Sequence, residues 1–371
     1  MKRQMMIKEI DFNNIDEQLK NTRYANIIYG AGYNGKYLYN LFQKYNIAIE
    51  AFYDDDKTRC GKEYCGKKIL SESEIRAREN SQINIIISSM YIPQIYKKCT
   101  DWGFENIYAA LDIILDKDTD DFQFIKYNTK EYKERLRQLS SKFEDEKSKQ
   151  YFQIIEKTIR EGKASSDITE LYCGEKQYFL QCFKNKLDGI FFIDAGAYTG
   201  DTVREMLEEG IRPSGGICFE ADGNNYQKLQ NFCGKLGEFI ICENKALWNE
   251  RAILGMKFNN YNARIDEQSE ERNVEAIAID EYVVPNKIGF IKMDIEGAER
   301  KALQGGEKTI KRDRPILAIS IYHGVDDIVD IPEMLFAMLE NYKFIVRHHS
   351  FTYSETVMYC VPNEREDIIL R

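Results

Sequence analysis

The stretch that most constrains this chain is Phe191-Phe192-Ile193-Asp194-Ala195-Gly196-Ala197-Tyr198-Thr199-Gly200-Asp201-Thr202. An apolar run ends in an acid, and two glycines four apart then open a polar, helix-compatible segment. The pattern reads as a strand, a tight loop and a helix start. Where a dinucleotide fingerprint carries its first glycine, this loop carries Asp194. A pyrophosphate needs uncancelled backbone donors at a helix N-terminus, and a carboxylate there opposes it. The turn suits a guest with a cationic amino group and no phosphate.

The segments that follow extend the pattern. Gly216-Ile217-Cys218-Phe219-Glu220 is a short apolar strand ending in an acid, after a first helix expected over 201–210. At the end of a second strand, the two oxygens of Glu220 match the two hydroxyls of a ribose. Further strands are expected over 238–247, within 287–299 and over 315–323, with β-rich segments at 343–347 and 356–361. Helical patterns fill 298–311 and 331–342. Strands alternating with helices argue for a parallel sheet covered on both faces. A ribose-bearing, sulfonium-bearing guest without phosphate is S-adenosylmethionine.

With these residues in view, 186–362 resembles the FkbM-type S-adenosylmethionine-dependent methyltransferases. The resemblance rests on Asp194 to Asp201, Phe219-Glu220, Ala246-Leu247, Ile279-Asp280 and above all Ile291-Lys292-Met293-Asp294-Ile295-Glu296-Gly297-Ala298-Glu299, followed by Leu303 and Gly305. It implies an α/β fold: a class I methyltransferase-type, Rossmann-like sheet of seven strands with an antiparallel final strand. It also implies methyl transfer, usually to a hydroxyl, in the tailoring of polyketides, glycolipids or surface polysaccharides. The acceptor is not inherited with the fold. The resemblance places Asp194, Gly196, Ala197, Tyr198, Gly200, Thr202, Glu220, Ala221, Asn244, Ala246 and Asp294 at the cofactor.

A second glycine loop, Gly30-Ala31-Gly32-Tyr33-Asn34-Gly35, follows an apolar run and precedes a helical pattern over 36–45. A strand over 47–53 then ends in Asp54-Asp55-Asp56, about where a ribose-binding acid falls. More strands are expected over 83–88 and 106–109, with Pro93 starting the helix between them. This smaller Rossmann-like α/β domain resembles the N-terminal domains of bacterial sugar acyltransferases and related surface-polysaccharide enzymes, which implies a nucleotide sugar held by Gly30, Gly32, Gly35 and Asp54. A pure scaffold or an NAD site are the other readings. About four strands make only half of a dinucleotide crevice.

The expected domains are therefore 1–112, a helical connector over 113–185, and the methyltransferase domain over 186–371. In the connector, Leu136-Leu139-Phe143 and Tyr151-Ile154-Ile155-Ile159 fall at helical spacing, and an apolar stripe needs a packing partner. The nine scattered cysteines include no Cys-x-x-Cys pair, which argues against a disulfide framework or a zinc site. No signal peptide or membrane-spanning stretch is expected, so the location is read as cytoplasmic. A net charge of −9 disfavours nucleic acid as a partner. A small-molecule or glycan acceptor remains, and a homo-oligomer stays open.

Methyl transfer needs alignment, exclusion of water and, for a hydroxyl acceptor, a base. Lys292, Asp294 and Glu296 alternate, so a continued strand would put them on one face. The three histidines, His323, His348 and His349, all follow late strands. His323 is the expected base and His348 the alternative, because an unperturbed imidazole is largely neutral at pH 7. Asp294 is the competing candidate, as base or as holder of a divalent metal, and Glu296 is expected to shape the acceptor pocket. No metal ligands are assigned from the sequence, and metal dependence stays open. A noncatalytic protein retaining the fold, or an oxidoreductase using the N-terminal loop, is the alternative reading.

Overall fold

In the computed structural model of the 371-residue chain, residues 7–10, 15–109, 124–162, 165–237, 239–258, 263–266, 269, 273–283 and 286–365 are described. The chain forms two compact units. One takes Met1–Asp121, Lys163–Glu170 and Ser350–Tyr353; the other takes Phe122–Gly162, Leu171–His349 and Ser354–Arg371.

The first unit holds strands β1 (Lys8–Glu9), β2 (Ala25–Tyr29), β3 (Ala51–Tyr53), β4 (Glu63–Tyr64), β5 (Lys67–Leu70), β6 (Ile83–Ile87) and β7 (Asn106–Ala109). They order as β1-β7-β6-β2-β3-β5-β4, all parallel except for the β4–β5 hairpin. The expected half-fold of about four strands is thus a seven-stranded sheet. The additions β1, β4 and β5 are strands of two to four residues towards the two ends of the sheet, with too few apolar residues to signal themselves. Helices α1 (Glu17–Lys20), α2 (Tyr33–Lys44), α3 (Glu72–Arg76) and α4 (Ile92–Asp101) accompany it, and Pro93 sits in the first turn of α4. The apolar strands are buried on both faces: Ile27, Ile85 and Ile87 serve one core, Ile28, Phe52 and Ile86 the other.

In the second unit, the connector forms α5 (Lys130–Lys142) and α6 (Glu146–Glu161). Of the expected stripe, Leu136, Leu139, Phe143, Tyr151, Ile155 and Ile159 are buried, and Ile154 is half-buried. Residues 113–123 and 163–164 of the expected connector lie outside the described residues. The main sheet is built from β8 (Phe191–Ala195), β9 (Gly215–Phe219), β10 (Ile240–Glu243), β15 (Ile288–Met293), β16 (Ile316–Ser320), β17 (Tyr342–His348) and β18 (Thr356–Pro362). Its order is β10-β9-β8-β15-β16-β18-β17, parallel except that β18 runs antiparallel to both of its neighbours. This is the Rossmann-like, class I methyltransferase arrangement. Phe192, Phe290, Ile316 and Tyr359 share one core with Phe179, Phe183 and Leu187, so the packed core starts ahead of residue 186. Each such side chain contributes about 1.5–3 kcal/mol by burial.

Three expected elements came out differently. The strand expected over 238–247 is two strands: β10 ends at Glu243, and β11 (Ala246–Leu247) joins β12 (Ala252–Phe258), β13 (Ala263–Asp266) and β14 (Val274–Ile277) in a separate sheet ordered β11-β14-β12-β13. Glu238 lies outside the described residues. The helix expected over 298–311 is α9 (Glu299–Gln304) and α10 (Glu307–Asp313), broken at Gly305-Gly306. A Cβ on Gly305 would stand 2.1 Å from the Trp248 carbonyl oxygen, so the break is a close packing point. The last helix, α11, spans Asp327–Met338 rather than 331–342, because Asn341 turns left-handed (φ 57°) and Tyr342 opens β17. The remaining helices α7 (Asp201–Glu208) and α8 (Gly223–Cys233) follow β8 and β9.

Candidate functional site

The C-terminal ends of β8, β9 and β15 are stitched together by backbone hydrogen bonds. Gly196 N and Ala197 N donate to Phe219 O, each at 3.0 Å, and Asp294 N donates to Ala195 O at 3.1 Å. A cavity of about 270 Å³ opens at this edge. Parallel sheets place ligands at the carboxyl ends of their strands.

Glu220 forms one wall. Tyr198 N donates to its Oε2 and Asp222 N to its Oε1, both at 2.8 Å, which fixes the carboxylate plane. Burial raises its pKa to about 7 despite those two donors. Asn244 Nδ2 supports the turn from outside by donating to Glu220 O (2.8 Å) and Ala221 O (3.2 Å). Phe219, Ala246, Leu247, Met256 and Ile265 supply an apolar wall.

The opposite wall is Asp294 and Glu296, with Tyr178. β15 stops at Met293, so these acids lie in the following turn rather than on a continued strand. Glu296 takes a left-handed φ of 57°. Lys292 is still on the strand, and it too borders the cavity. In the parallel register it faces Asp194, pairs with it at 3.1 Å, and donates to Gly196 O at 2.7 Å. The buried ion pair at this strand end is Lys292–Asp194, and the neighbouring carboxylates keep Lys292 protonated. Asp194 is 1% exposed and does not line the cavity, so its charge is spent on Lys292 rather than offered to a cationic ligand.

Tyr178 OH donates to Asp294 Oδ2 at 2.7 Å and Tyr322 OH to Oδ1 at 3.3 Å. Burial works against the charge on Asp294, but His323, Lys292 and Tyr178 outweigh it and hold the pKa well below the usual carboxylate range. His323 lies behind this wall. Its Nε2 is 3.2 Å from Asp294 and 3.7 Å from Glu296, and its Nδ1 is 2.9 Å from Glu299. Burial favours the neutral ring, yet Glu299 and Asp294 raise its pKa well above the ordinary value. The expectation of a neutral imidazole at pH 7 is therefore overturned: carboxylates surround the ring, and it holds its proton.

Of the expected cofactor residues, Gly196, Tyr198, Glu220, Ala221, Ala246 and Asp294 line the cavity. Asp194, Ala197, Gly200, Thr202 and Asn244 do not. Gly200 and Thr202 serve the start of α7, where a Cβ on Gly200 would meet the Phe232 ring at 2.5 Å. Gly196 is required by packing as well, since its Cβ would lie 1.8 Å from Asp294 O. His348 is buried in β17, 2.8 Å from Thr356 Oγ1, and does not line the cavity; His349 lies 2.8 Å from Tyr359 OH. Tyr178, Met256, Ile265 and Glu299 went unassigned. Only Glu299 carried a readable signal, as the last acid of the quoted motif.

In the first unit, a cavity of about 380 Å³ touches Gly30, Asp54, Asp55, Ser89 and Lys98. Asp54 is engaged within its own loop, accepting from Ala31 N at 2.8 Å and Asp56 N at 2.9 Å. Gly30 and Gly35 are demanded by packing: a Cβ on Gly35 would lie 2.0 Å from Gly30 O, and one on Gly30 2.5 Å from Ser88 Oγ. A Cβ on Gly32 would meet nothing within 4 Å.

Residues 194–346 match the family model of the methyltransferase FkbM domain. This segment is an FkbM-family methyltransferase domain. Residues 22–110 match the model described as C2185-like, N-terminal. The crystal structure of methyltransferase FkbM from Methylobacillus flagellatus KT shares the fold, at 19% identity over 93% of this chain and 92% of that one, with a TM-score of 0.55. An rRNA methylase from Streptococcus thermophilus is 14% identical over 49% of this chain and 92% of its own, TM-score 0.34. A SAM-dependent methyltransferase from Aquifex aeolicus is 12% identical over 53% and 96%, TM-score 0.29. No curated protein matches. Among the described residues of the methyltransferase, no helix is long and apolar enough to cross a membrane.

Proposed function

We propose that the methyltransferase domain binds S-adenosylmethionine between Glu220 and Asp294 and methylates a hydroxyl of a sugar, surface polysaccharide or related secondary metabolite. The observation that carries this reading is Glu220, a carboxylate at the exit of the second strand, held in plane by two backbone donors and facing the cavity. The residues present fit the cofactor. Each Glu220 oxygen keeps a lone pair for a ribose hydroxyl, the Phe219–Met256–Ile265 side suits a flat apolar ring, and Asp201 and Asp294 suit a cationic amino-acid end.

When bound, S-adenosylmethionine supplies a methyl carbon activated by its sulfonium. The chain's own residues provide position and charge. Asp294, kept ionised by His323, Lys292 and Tyr178, presents a fixed acceptor at the cavity wall. Glu296 faces the same space with its pKa raised by burial, so it can orient the hydroxyl and take its proton as the methyl carbon leaves the sulfur for the oxygen. Holding acceptor and donor in line supplies much of the rate.

Calorimetry of the full chain with S-adenosylmethionine, NAD and a nucleotide sugar tests the reading. Binding of S-adenosylmethionine that Glu220→Ala weakens supports it, and absence of binding by the folded wild type refutes it. A second reading concerns the first unit. Its cavity lies where the strand order reverses between β2 and β6, a usual ligand position. A nucleotide sugar there would meet Gly30 and Lys98, whose ammonium pairs with Asp55, while the carboxylate of Asp54 is held by its own loop. Nucleotide-sugar heat that survives Glu220→Ala and is lost in Lys98→Ala supports it.

A further inference from the structure

Two carboxylates meet at one hydroxyl behind the cavity wall. Tyr322 OH lies 3.3 Å from Asp294 Oδ1 and 3.4 Å from Glu355 Oε1, and it has one proton to give. Asp294 has further support from Tyr178 OH at 2.7 Å and from the protonated His323 at 3.2 Å. Glu355 has less. Its Oε2 accepts from Gln177 Nε2 at 2.8 Å, and among the described residues no cation pairs with it. Of two carboxylates that share a proton, the one without a cation keeps it. The proton therefore sits on Glu355 Oε1 and points at Tyr322, whose own proton goes to Asp294.

The backbone holds this carboxyl in place at a cost. Glu355 enters β18 from a left-handed φ of 61°. That conformation costs a non-glycine residue about 1–3 kcal/mol, and such residues cluster at functional sites.

Taking S-adenosylmethionine as the ligand of the cavity, we propose that Glu355 balances its sulfonium charge, giving a proton to solvent as the cofactor binds and taking one back once the sulfur is neutral. This role rests on the cofactor reading above and makes Glu355 a positioning residue that acts through Tyr322 and Asp294. The ammonium of the ligand carries its own carboxylate, so the sulfonium is the charge left for the protein to meet. A cation seated against Asp294 is one hydroxyl away from Glu355, and an opposite charge nearby favours the ionised carboxylate.

The surrounding groups leave Glu355 as the one able to respond. Burial and the charge of Asp294 push it up to about 7. Tyr178 and Tyr322 keep their protons, because burial and both carboxylates raise them well above the ordinary value. His323 stays charged, but it stands against Asp294, Glu296 and Glu299. His349, whose backbone N–H donates to Glu355 O at 2.9 Å, is kept neutral by burial at about 4. The turnover balances. The bond from sulfur to methyl breaks, the bond from oxygen to methyl forms, and the hydroxyl proton leaves through Glu296. The sulfur loses its positive charge as Glu355 loses its negative one.

The test is calorimetry of the full chain in buffers of different protonation enthalpy, which counts the protons released on binding. S-adenosylhomocysteine, which lacks the sulfonium, is the reference ligand. Glu220 should release its proton with either ligand, and Glu355 with S-adenosylmethionine alone. At pH 6.5, S-adenosylmethionine should release about half a proton more than the reference. Release on binding means tighter binding as pH rises, so affinity relative to the reference should increase about five- to tenfold from pH 6 to 8. Glu355→Gln copies the neutral carboxyl, with an N–H towards Tyr322 and an oxygen towards Gln177. It should abolish the excess protons and flatten the affinity ratio while still binding S-adenosylhomocysteine; a merely structural residue would weaken both ligands alike. Infrared difference spectra follow the same proton in the wild type, where the protonated-carboxyl band should be weaker with S-adenosylmethionine than with the reference. Equal proton release from the two ligands, an unchanged infrared band, or an excess that Glu355→Gln retains overturns the role of Glu355 and leaves the cofactor reading standing. Binding of neither ligand by the folded wild type overturns both.

Discussion

Glu220 and His323 mark the two ends of what single residues disclosed. An acid at the end of a second strand is readable, because the sheet order fixes what lies beside it, and Glu220 lines the cavity. The ionisation of His323 was not readable, because it depends on Glu299 and Asp294 folding around the ring. The Asp194–Lys292 pair was hidden for the same reason: it needs the register of β8 against β15. Glu220 carries a pH prediction. Its folded pKa, raised by burial to about 7 from an ordinary 4.5, means the ligand-free fold binds this proton more tightly than the unfolded chain does. Its contribution therefore lowers stability as pH rises from about 4.5 to about 7. The ionised carboxylate is the form that accepts two ribose hydroxyls, so S-adenosylmethionine affinity should fall by up to about tenfold per unit below pH 7. Glu220→Gln should bind more weakly and lose that slope. Calorimetry from pH 5.5 to 8 measures both, and an equal slope in the variant would remove Glu220 from the site.

At the scale of elements, long apolar strands announced themselves and short ones did not. β8, β15 and β16 are buried throughout, and their first residues were placed to within one position, while the ends of β15 and β16 fall short of the expected segments. The sheet of β11 to β14 escaped, because its strands are short and carry Lys257, Arg264 and Glu275 among their apolar residues. That sheet supplies Met256 and Ile265 to the cavity wall, so part of the site was invisible along with it. Gly305 shows how a motif residue can be purely architectural. Its Cβ would press to 2.1 Å from Trp248 O and 2.8 Å from Asn249 Cα, forcing α9 away from the loop before β12. Gly305→Val should cost about 1–3 kcal/mol, as overpacking does, while leaving cofactor affinity within about twofold. Denaturant unfolding and calorimetry together check this. A variant of normal stability would mean the backbone yields, and a large loss of affinity would tie Gly305 to the cavity. Gly196→Val is the contrast, since its φ of 75° and its contact with Asp294 O join strain to the cavity itself; both stability and binding should fail.

For the whole molecule, the two Rossmann-like sheets were legible because each begins with a glycine loop after an apolar strand. The division of the chain was less so, because 163–170 and 350–353 belong to the first unit while their flanking residues belong to the second. No local pattern announces that a short stretch between two late strands packs with a distant core, as Phe351 does. Separate cores make a separable prediction. Phe42 is fully buried in the first unit and Phe192 in the second. Truncating either to alanine should cost about 3–5 kcal/mol. S-adenosylmethionine at 100 times its dissociation constant stabilises only the state that binds it, by about 2.7 kcal/mol. Hydrogen exchange read by peptide mass should then show the cofactor restoring much of the protection lost in Phe192→Ala, across β8, β9 and β15. In Phe42→Ala, peptides of β2, β3 and β6 should stay as exchange-prone with cofactor as without it. Recovery in both variants would mean that the two units unfold as one cooperative body, and recovery in neither would place the cofactor site elsewhere.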